Sequence, residues 1–369
     1  MRLCSDCFYF DDVNLRGRVG WRAPSNIALI KYWGKKGFQL PANPSLSITL
    51  KNSYTDTILS FAPATKGENE LQYFFEGKRN LIFEQKVKSY IDKLQQESGK
   101  FSFLKQFDLK FSSRNSFPHS AGIASSASSM ASIALCLASF YQQIEKQDPS
   151  IENVSSWARI GSGSACRSLF GPMALWGDFP SVESSSDNFA VSYHIQDKTF
   201  SDIQDTILIV DSAPKRVSST KGHSGLENHA FANVRYQQAQ DHLKMLIEGF
   251  DRGAWEKCGK IIEREALSLH AMMMSAPEYY TLLKPATLEI IDKIWQYRNR
   301  TNIHLFFTLD AGPNIHLLFP KKEKELVHLF IQEELIHLVE QQKIIEDEMG
   351  AGPRALEVGV DNNYGNSSF

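Results

Sequence analysis

Hydrophobic and polar positions change period several times along the chain, and these changes mark its elements. Short β-branched or aromatic runs at Ile27–Tyr32, Ser45–Leu50, Thr55–Phe61 and Leu71–Phe75, punctuated by Pro, Gly and Asn, predict strands. Helical spacing follows from about Leu81 to Gln96, then a strand at Phe107–Ser112 that feeds a Ser-rich turn and a long apolar helix. Ile151–Ile160 is again helical and Pro172–Trp176 returns to strand. After the polar segment Ser181–Asn188, a new unit begins near Thr199. It opens with a strand at Thr206–Asp211 and amphipathic helices over Glu227–Phe250 and Trp255–Ser268. Pro285 suits the first position of a helix running to about Tyr297. Strands at Ile303–Leu309 and Ile315–Phe319 and a last helix at Lys322–Glu334 complete the unit. The alternation lacks the regularity of a barrel and shows no repeat, which predicts an α+β class in two layers.

Phe117–Leu137, FPHSAGIASSASSMASIALCL, is the most telling stretch. A Gly- and Ser-rich turn running straight into a helix gathers free N–H groups and the positive end of a helix dipole at one point, which suits an anion. No Gly-Lys-Ser/Thr closes it, so it is not a Walker loop. By itself it suggests only phosphate, or merely a Ser-rich loop before a core helix.

Three other places hold side chains suited to phosphoryl chemistry. Lys31 and Lys35 in IALIKYWGKK flank two aromatics at a strand end; they are either solvated lysines or cations beside the apolar walls of an anion site. SGSACRS at Ser162–Ser168 sets Ser hydroxyls and the Arg167 guanidinium within one tight segment, where Arg167 meets a carboxylate or phosphate, or a buried Asp of the protein. Asp310 follows the apolar run HLFFTL and precedes Ala-Gly-Pro-Asn, the setting of a turn-capping residue or of a general base.

Composition narrows the class. The 369 residues have a formal net charge of −2, so nucleic acid and anionic membranes are not general partners. No run approaches membrane-spanning length and no signal pattern opens the chain, so a soluble, cytoplasmic protein is expected. Five scattered cysteines do not form a disulfide framework, and Cys4 and Cys7 lack a second ligand pair for zinc. No protein metal site is expected.

Taken in order, APSNIALIKYWGKK, the Ser-rich loop, SGSACRS, SSTKGH at Ser218–His223 and TLDAGPN at Thr308–Asn314 closely resemble the diphosphomevalonate decarboxylases of the GHMP kinase superfamily, over roughly Gly20 to Pro353. The resemblance implies a two-domain fold: an N-terminal α/β domain with a left-handed crossover over 20–198, preceded by an extension over 1–19, and a ferredoxin-like C-terminal domain over 199–369. It implies decarboxylation of 5-diphosphomevalonate to isopentenyl diphosphate with ATP and Mg2+, in a homodimer. It assigns catalysis to Asp310, Lys31 and Arg167. It assigns substrate contacts to Tyr32, Trp33, Gly34, Lys35, Lys86, Ser162, Gly163, Ser164, Ala165, Cys166, Arg167 and Thr220, and the nucleotide to Asn115, Ser120, Gly122, Ser125 and Ser126. Asn26 is a weaker candidate. The sequence departs from the family at His119, Ser120, Ser129 and His223, and at Lys86, where relatives carry Arg; Lys keeps the charge and loses the fork.

Overall fold

The computed structural model describes residues 8–11, 15–64, 69–117, 125–213 and 229–358. Its larger sheet is organised by two long antiparallel strands, β2 (Arg16–Ile30) and β5 (Ser45–Pro63), with β1 (Phe8–Asp11) on the outer edge of β2. Two short strands, β3 (Lys35–Lys36) and β4 (Leu40–Pro41), form a separate hairpin between them in sequence. Beyond β5 come β6 (Leu71–Phe75), β7 (Lys78–Arg79) and β8 (Phe107–Asn115), in the order β5-β8-β6-β7. β6 and β8 are parallel, joined across helix α1 (Leu81–Ser98). The other half of β5 pairs β9 (Met173–Trp176), which pairs β10 (Ala190–Tyr193).

The expected strands Ser45–Leu50 and Thr55–Phe61 are thus one. The polar residues between them, Lys51 and Asn52, lie exposed where the β2–β5 register shifts between Pro24 and Asn26. Proline offers no N–H to a ladder there. The Lys51 and Asn52 N–H groups donate instead to Asp347 Oδ1, at 2.9 and 2.8 Å. β2 begins well before Ile27, because buried Val19, Trp21 and Ala23 alternate with Arg18, Gly20 and Arg22, a period of two diluted by charge and glycine. β1 and the start of β2, within the expected extension, therefore belong to the sheet.

Helix α2 (Ser125–Glu145) is buried on nearly every side, as its small, apolar sequence requires. Three of its serines are satisfied within the core: Ser128 and Ser132 meet the hydroxyls of Thr55 and Thr57 at 2.7 Å each, and Trp21 Nε1 donates to Ser139 Oγ at 2.9 Å. Helix α3 (Ile151–Gly161), capped by Ser150, leads into a 3-10 segment at Gly163–Leu169.

The second sheet holds β11 (Ile203–Leu208), β12 (Phe306–Leu309), β13 (Ile315–Pro320) and β14 (Ile344–Glu348), all antiparallel in the order β12-β13-β11-β14. Three helices, α4 (Ala232–Asp251), α5 (Trp255–Met274) and α6 (Pro285–Thr301), separate its first two strands, and α7 (Lys324–Phe330) its last two. That neighbour order, with helices in those crossovers, is the ferredoxin-like arrangement. A last strand, β15 (Arg354–Ala355), returns to pair with β2. One apolar cluster joins the two halves: Leu29 and Ile48 from the first sheet pack with Ile207, Leu243, Ile261 and Phe306 from the second half. α5 approaches β12 so closely that a Cβ on Gly259 would sit 2.1 Å from the Phe306 ring.

Candidate active site

β2 stops at Ile30 and delivers Lys31 to the junction of the halves, where it is only 2 % exposed. Its Nζ donates to Ala28 O at 2.6 Å, and its N–H donates to Glu265 Oε2 on α5 at 2.9 Å. Burial pulls the ammonium down to about 8. The carboxylates of Asp310, Glu265 and Asp205 oppose that effect, while the Arg167 guanidinium adds to it. Lys31, Asp310 and Arg167, far apart in sequence, therefore share one electrostatic neighbourhood.

Arg167 is buried in the 3-10 segment. Its Nη1 donates to Ser45 Oγ at 2.5 Å and its Nε to Asn26 Oδ1 at 3.3 Å. Asn26 in turn donates to Ser168 Oγ and Ser164 O, at 2.8 and 3.2 Å, fixing the SGSACRS segment to β2. Among the described residues no carboxylate lies within ion-pair distance of Arg167. A buried guanidinium held by neutral partners bears a desolvation cost that an anionic ligand offsets.

Asp310 stands half-buried just past β12. The turn that follows is closed by main chain, Gly312 N–H donating to Asp310 O at 2.7 Å. Asn314 Oδ1 accepts from the N–H groups of Val210 and Asp211, at 2.8 and 3.0 Å, and so ties the DAGPN turn to the end of β11.

The remaining candidates divide. Tyr32 lies against Trp176, ring centroids 4.5 Å apart. Trp33 turns the other way and is buried with Leu269, Met272, Met273 and Ala311. Gly34, at φ +98°, leaves no room for a side chain: a Cβ would lie 2.3 Å from Tyr236 Oη. Lys35 follows in β3 and is half-buried. Ser162 and Ser164 are half-buried, whereas Gly163, Ala165 and Cys166 are buried, so Ala165 and Cys166 have only main-chain groups to offer a ligand. Burial pushes the Cys166 thiol up to about 12 and makes it an inert neutral group. Ser125 and Ser126 lie in the first turn of α2, and Ser126 Oγ is 3.5 Å from Ser162 Oγ, which brings this helix end beside the Arg167 segment. Asn115 ends β8 and accepts from Thr55 Oγ1 at 2.9 Å. Lys86 is exposed on α1 with its ammonium 5.8 Å from the Phe83 ring, and no described contact joins it to Lys31 or Arg167. Ser120, Gly122 and Thr220, with the departures His119 and His223, lie outside the described residues.

Glu265 and His270 on α5 were not expected at the site. Glu265 is fully buried and accepts from Arg235 Nη2 and His242 Nδ1 on α4, at 2.5 and 2.6 Å. Burial pushes its carboxyl up, but these hydrogen bonds, the Arg235 charge and the Lys31 N–H hold it below the usual carboxylate range. His270 Nε2 donates to Asp310 O at 3.1 Å. The available signal was a charge inside an apolar stripe: Glu265 falls among Ile261, Ile262, Ala266 and Leu269 on the buried face of α5.

Both halves of the chain match known proteins. Residues 23–188 match the diphosphomevalonate decarboxylase-like N-terminal domain, and residues 206–362 the mevalonate 5-diphosphate decarboxylase C-terminal domain. A diphosphomevalonate decarboxylase of Schizosaccharomyces pombe is 31 % identical over 324 residues, covering 83 % of this chain and 79 % of the relative. The crystal structure of mevalonate diphosphate decarboxylase from Staphylococcus aureus superposes with a TM-score of 0.79 at 27 % identity, over 92 % of this chain and 98 % of that one. A further solved structure, described as MDDEF in complex with MVAPP, AMPPCP and magnesium, gives a TM-score of 0.78 at 29 % identity, over 92 % and 99 % of the two chains. With both halves matched and the motif residues of SGSACRS and DAGPN converging on Lys31, the chain belongs to the diphosphomevalonate decarboxylase family.

Proposed function

We propose that this protein catalyses the ATP-dependent decarboxylation of 5-diphosphomevalonate to isopentenyl diphosphate, releasing ADP, phosphate and carbon dioxide. The observation that carries the reading is the convergence of two buried cations, Lys31 and Arg167, with the carboxylate of Asp310 at the junction of the halves. Asp310 orients the tertiary 3-hydroxyl and takes its proton as that oxygen receives the phosphoryl group. The C3–O bond then breaks with loss of phosphate. The bond to the carboxylate also breaks, its electron pair forming the alkene as carbon dioxide leaves. Arg167 holds that carboxylate in place and Lys31 offsets anionic charge beside it. Tyr32, Gly34, Lys35, Ser162 and Ser164 complete the wall on the substrate diphosphate side. Ser125, Ser126 and Asn115 flank the α2 N-terminus, where the nucleotide phosphates bind.

Magnesium fits as an ion carried by the nucleotide. Among the described residues no cluster of three or more His, Cys, Asp or Glu forms a metal cage. Magnesium on phosphates needs none, since it keeps several waters and takes one or two carboxylates at most. Its chemistry when bound is to offset charge on the transferring phosphoryl group. No described helix is long and apolar enough to cross a membrane. The reading includes a homodimer working in the cytoplasm, as the resemblance implies.

The direct test is incubation of purified protein with ATP, magnesium and 5-diphosphomevalonate, with products followed by mass and carbon dioxide counted against ADP. Equal amounts are expected; a stable 3-phosphorylated product without carbon dioxide would instead make the protein a kinase.

Two further results follow from the geometry. Ser126→Leu crowds the helix end facing Ser162 and weakens ATP binding while the buried length of α2 keeps the fold; unchanged affinity by calorimetry removes Ser126 from the nucleotide site. The Lys31 ammonium titrates near 8, faced by Asp310, Glu265, Asp205 and Arg167. Since the cationic form is the active one, kcat/KM falls as pH rises through about 8, by about tenfold per unit beyond it. Lys31→Arg, charged throughout, lacks that limb in a pH profile.

A further inference from the structure

The two main-chain positions that carry Lys31 and Asp310 come from different sheets, yet both are gripped by one helix. Glu265 Oε2 accepts the Lys31 N–H at 2.9 Å, and His270 Nε2 donates to the Asp310 carbonyl at 3.1 Å. Both side chains are essentially inaccessible to solvent. The residues that follow the two catalytic candidates pack on α5 as well: Trp33 and Ala311 share an apolar cluster with its Leu269, Met272 and Met273. The helix itself has little freedom. Gly259 lies against Phe306, Glu263 pairs with Arg298 at 2.7 Å and accepts from Trp295 Nε1 at 3.2 Å, and Glu265 is held by Arg235 and His242. Five residues of helix span about 7.5 Å along the axis, so Glu265 and His270 stand at a fixed spacing.

We propose that α5 sets the separation and facing of Lys31 and Asp310 through Glu265 and His270, which are positioning residues for the reaction. The inference rests on the reading of Lys31 and Asp310 as catalytic residues. Glu265 keeps the end of β2 from drifting away from the second half, and His270 fixes the turn that presents the Asp310 carboxylate. Neither needs to touch substrate. Their effect is on the distance between a cation and a base, to which a transition state is more sensitive than a bound ground state.

The test uses the full-length protein with ATP, magnesium and 5-diphosphomevalonate. His270→Leu removes the donor to the Asp310 carbonyl and is expected to lower kcat on the order of 10²-fold with both KM values little changed. His270→Gln places an amide N–H near the position of Nε2 and is expected to recover most of that loss. Because His270 acts through Asp310, adding His270→Leu to Asp310→Asn costs little more than Asp310→Asn alone. Full kcat in folded His270→Leu overturns the proposal, and so does a folded His270→Gln as impaired as the Leu variant or a fully multiplicative double variant. If Asp310→Asn keeps near-normal turnover, the reading of the site fails rather than the role of α5. If His270→Leu does not fold, the Gln variant decides: near-normal kcat supports the proposal and a loss on the order of 10²-fold sinks it.

Discussion

Asp310→Asn is expected to lower kcat by about 10²–10⁴-fold, the range of a lost general base, while both substrates still bind. Asn matches Asp in shape, and two contacts that place residue 310 belong to its main chain: its carbonyl accepts from His270 Nε2 and from Gly312 N–H, at 3.1 and 2.7 Å. Those two contacts survive in the variant. On the proposed mechanism it loses an acceptor for the 3-hydroxyl proton. A second consequence separates this from a general disturbance of the site. The Asp310 carboxylate is the largest influence supporting the Lys31 ammonium against burial. Removing that charge lowers the Lys31 pKa further, so the alkaline limb in the residual activity of Asp310→Asn moves below about 8. Steady-state rates across pH, with calorimetric binding of both substrates, check both parts. Near-normal turnover would leave the reaction in place and take Asp310 out of its centre.

How much of this was legible in the sequence depended on whether a signal was local. α2 announced itself because its Ser- and Ala-rich stretch is unbroken, and Pro285 marked the first residue of α6 as proline does. Leu71–Phe75 and Ile151–Gly161 follow from periodicity to within a residue. The continuity of β5 through Lys51 and Asn52 did not, since the partner that satisfies their N–H groups, Asp347, lies almost 300 residues on. The same limit governed the site. Lys31, Arg167 and Asp310 were recognisable because each sits in a short, chemically distinctive segment. Glu265 and His270 sit in an ordinary amphipathic helix, and what ties them to the site is a main-chain N–H of Lys31 and a main-chain carbonyl of Asp310, contacts that leave no trace in composition or spacing. Trp33 shows the converse: it belongs to a recognisable motif, yet its ring is buried on α5 rather than turned toward Tyr32 and Trp176. A side chain's direction was not readable from the pattern around it.

Arg167→Lys is expected to lower kcat/KM by about 10²-fold although it keeps the charge, because hydrogen bonds to a charged group in a buried site are each worth about 1.5–3 kcal/mol. The guanidinium makes two directed bonds on different sides, Nη1 to Ser45 Oγ at 2.5 Å and Nε to Asn26 Oδ1 at 3.3 Å. A lysine amine at the end of a flexible stem cannot keep both and still present a planar edge to a carboxylate. The surrounding segment should hold, since Asn26 retains its bonds to Ser168 and Ser164. The loss therefore falls on orientation of the substrate carboxylate, which matters at the second stage of the reaction. On the proposed mechanism phosphoryl transfer depends on Asp310 and the α2 N-terminus, and is less affected. Arg167→Lys should accordingly release less carbon dioxide than ADP, with a 3-phosphorylated intermediate visible by mass. If carbon dioxide and ADP stay equal at a wild-type rate, Arg167 does not hold the departing carboxylate. If they stay equal at a reduced rate, Arg167 acts before phosphoryl transfer, in binding or in aligning the hydroxyl with Asp310, and its place in the mechanism moves one step earlier.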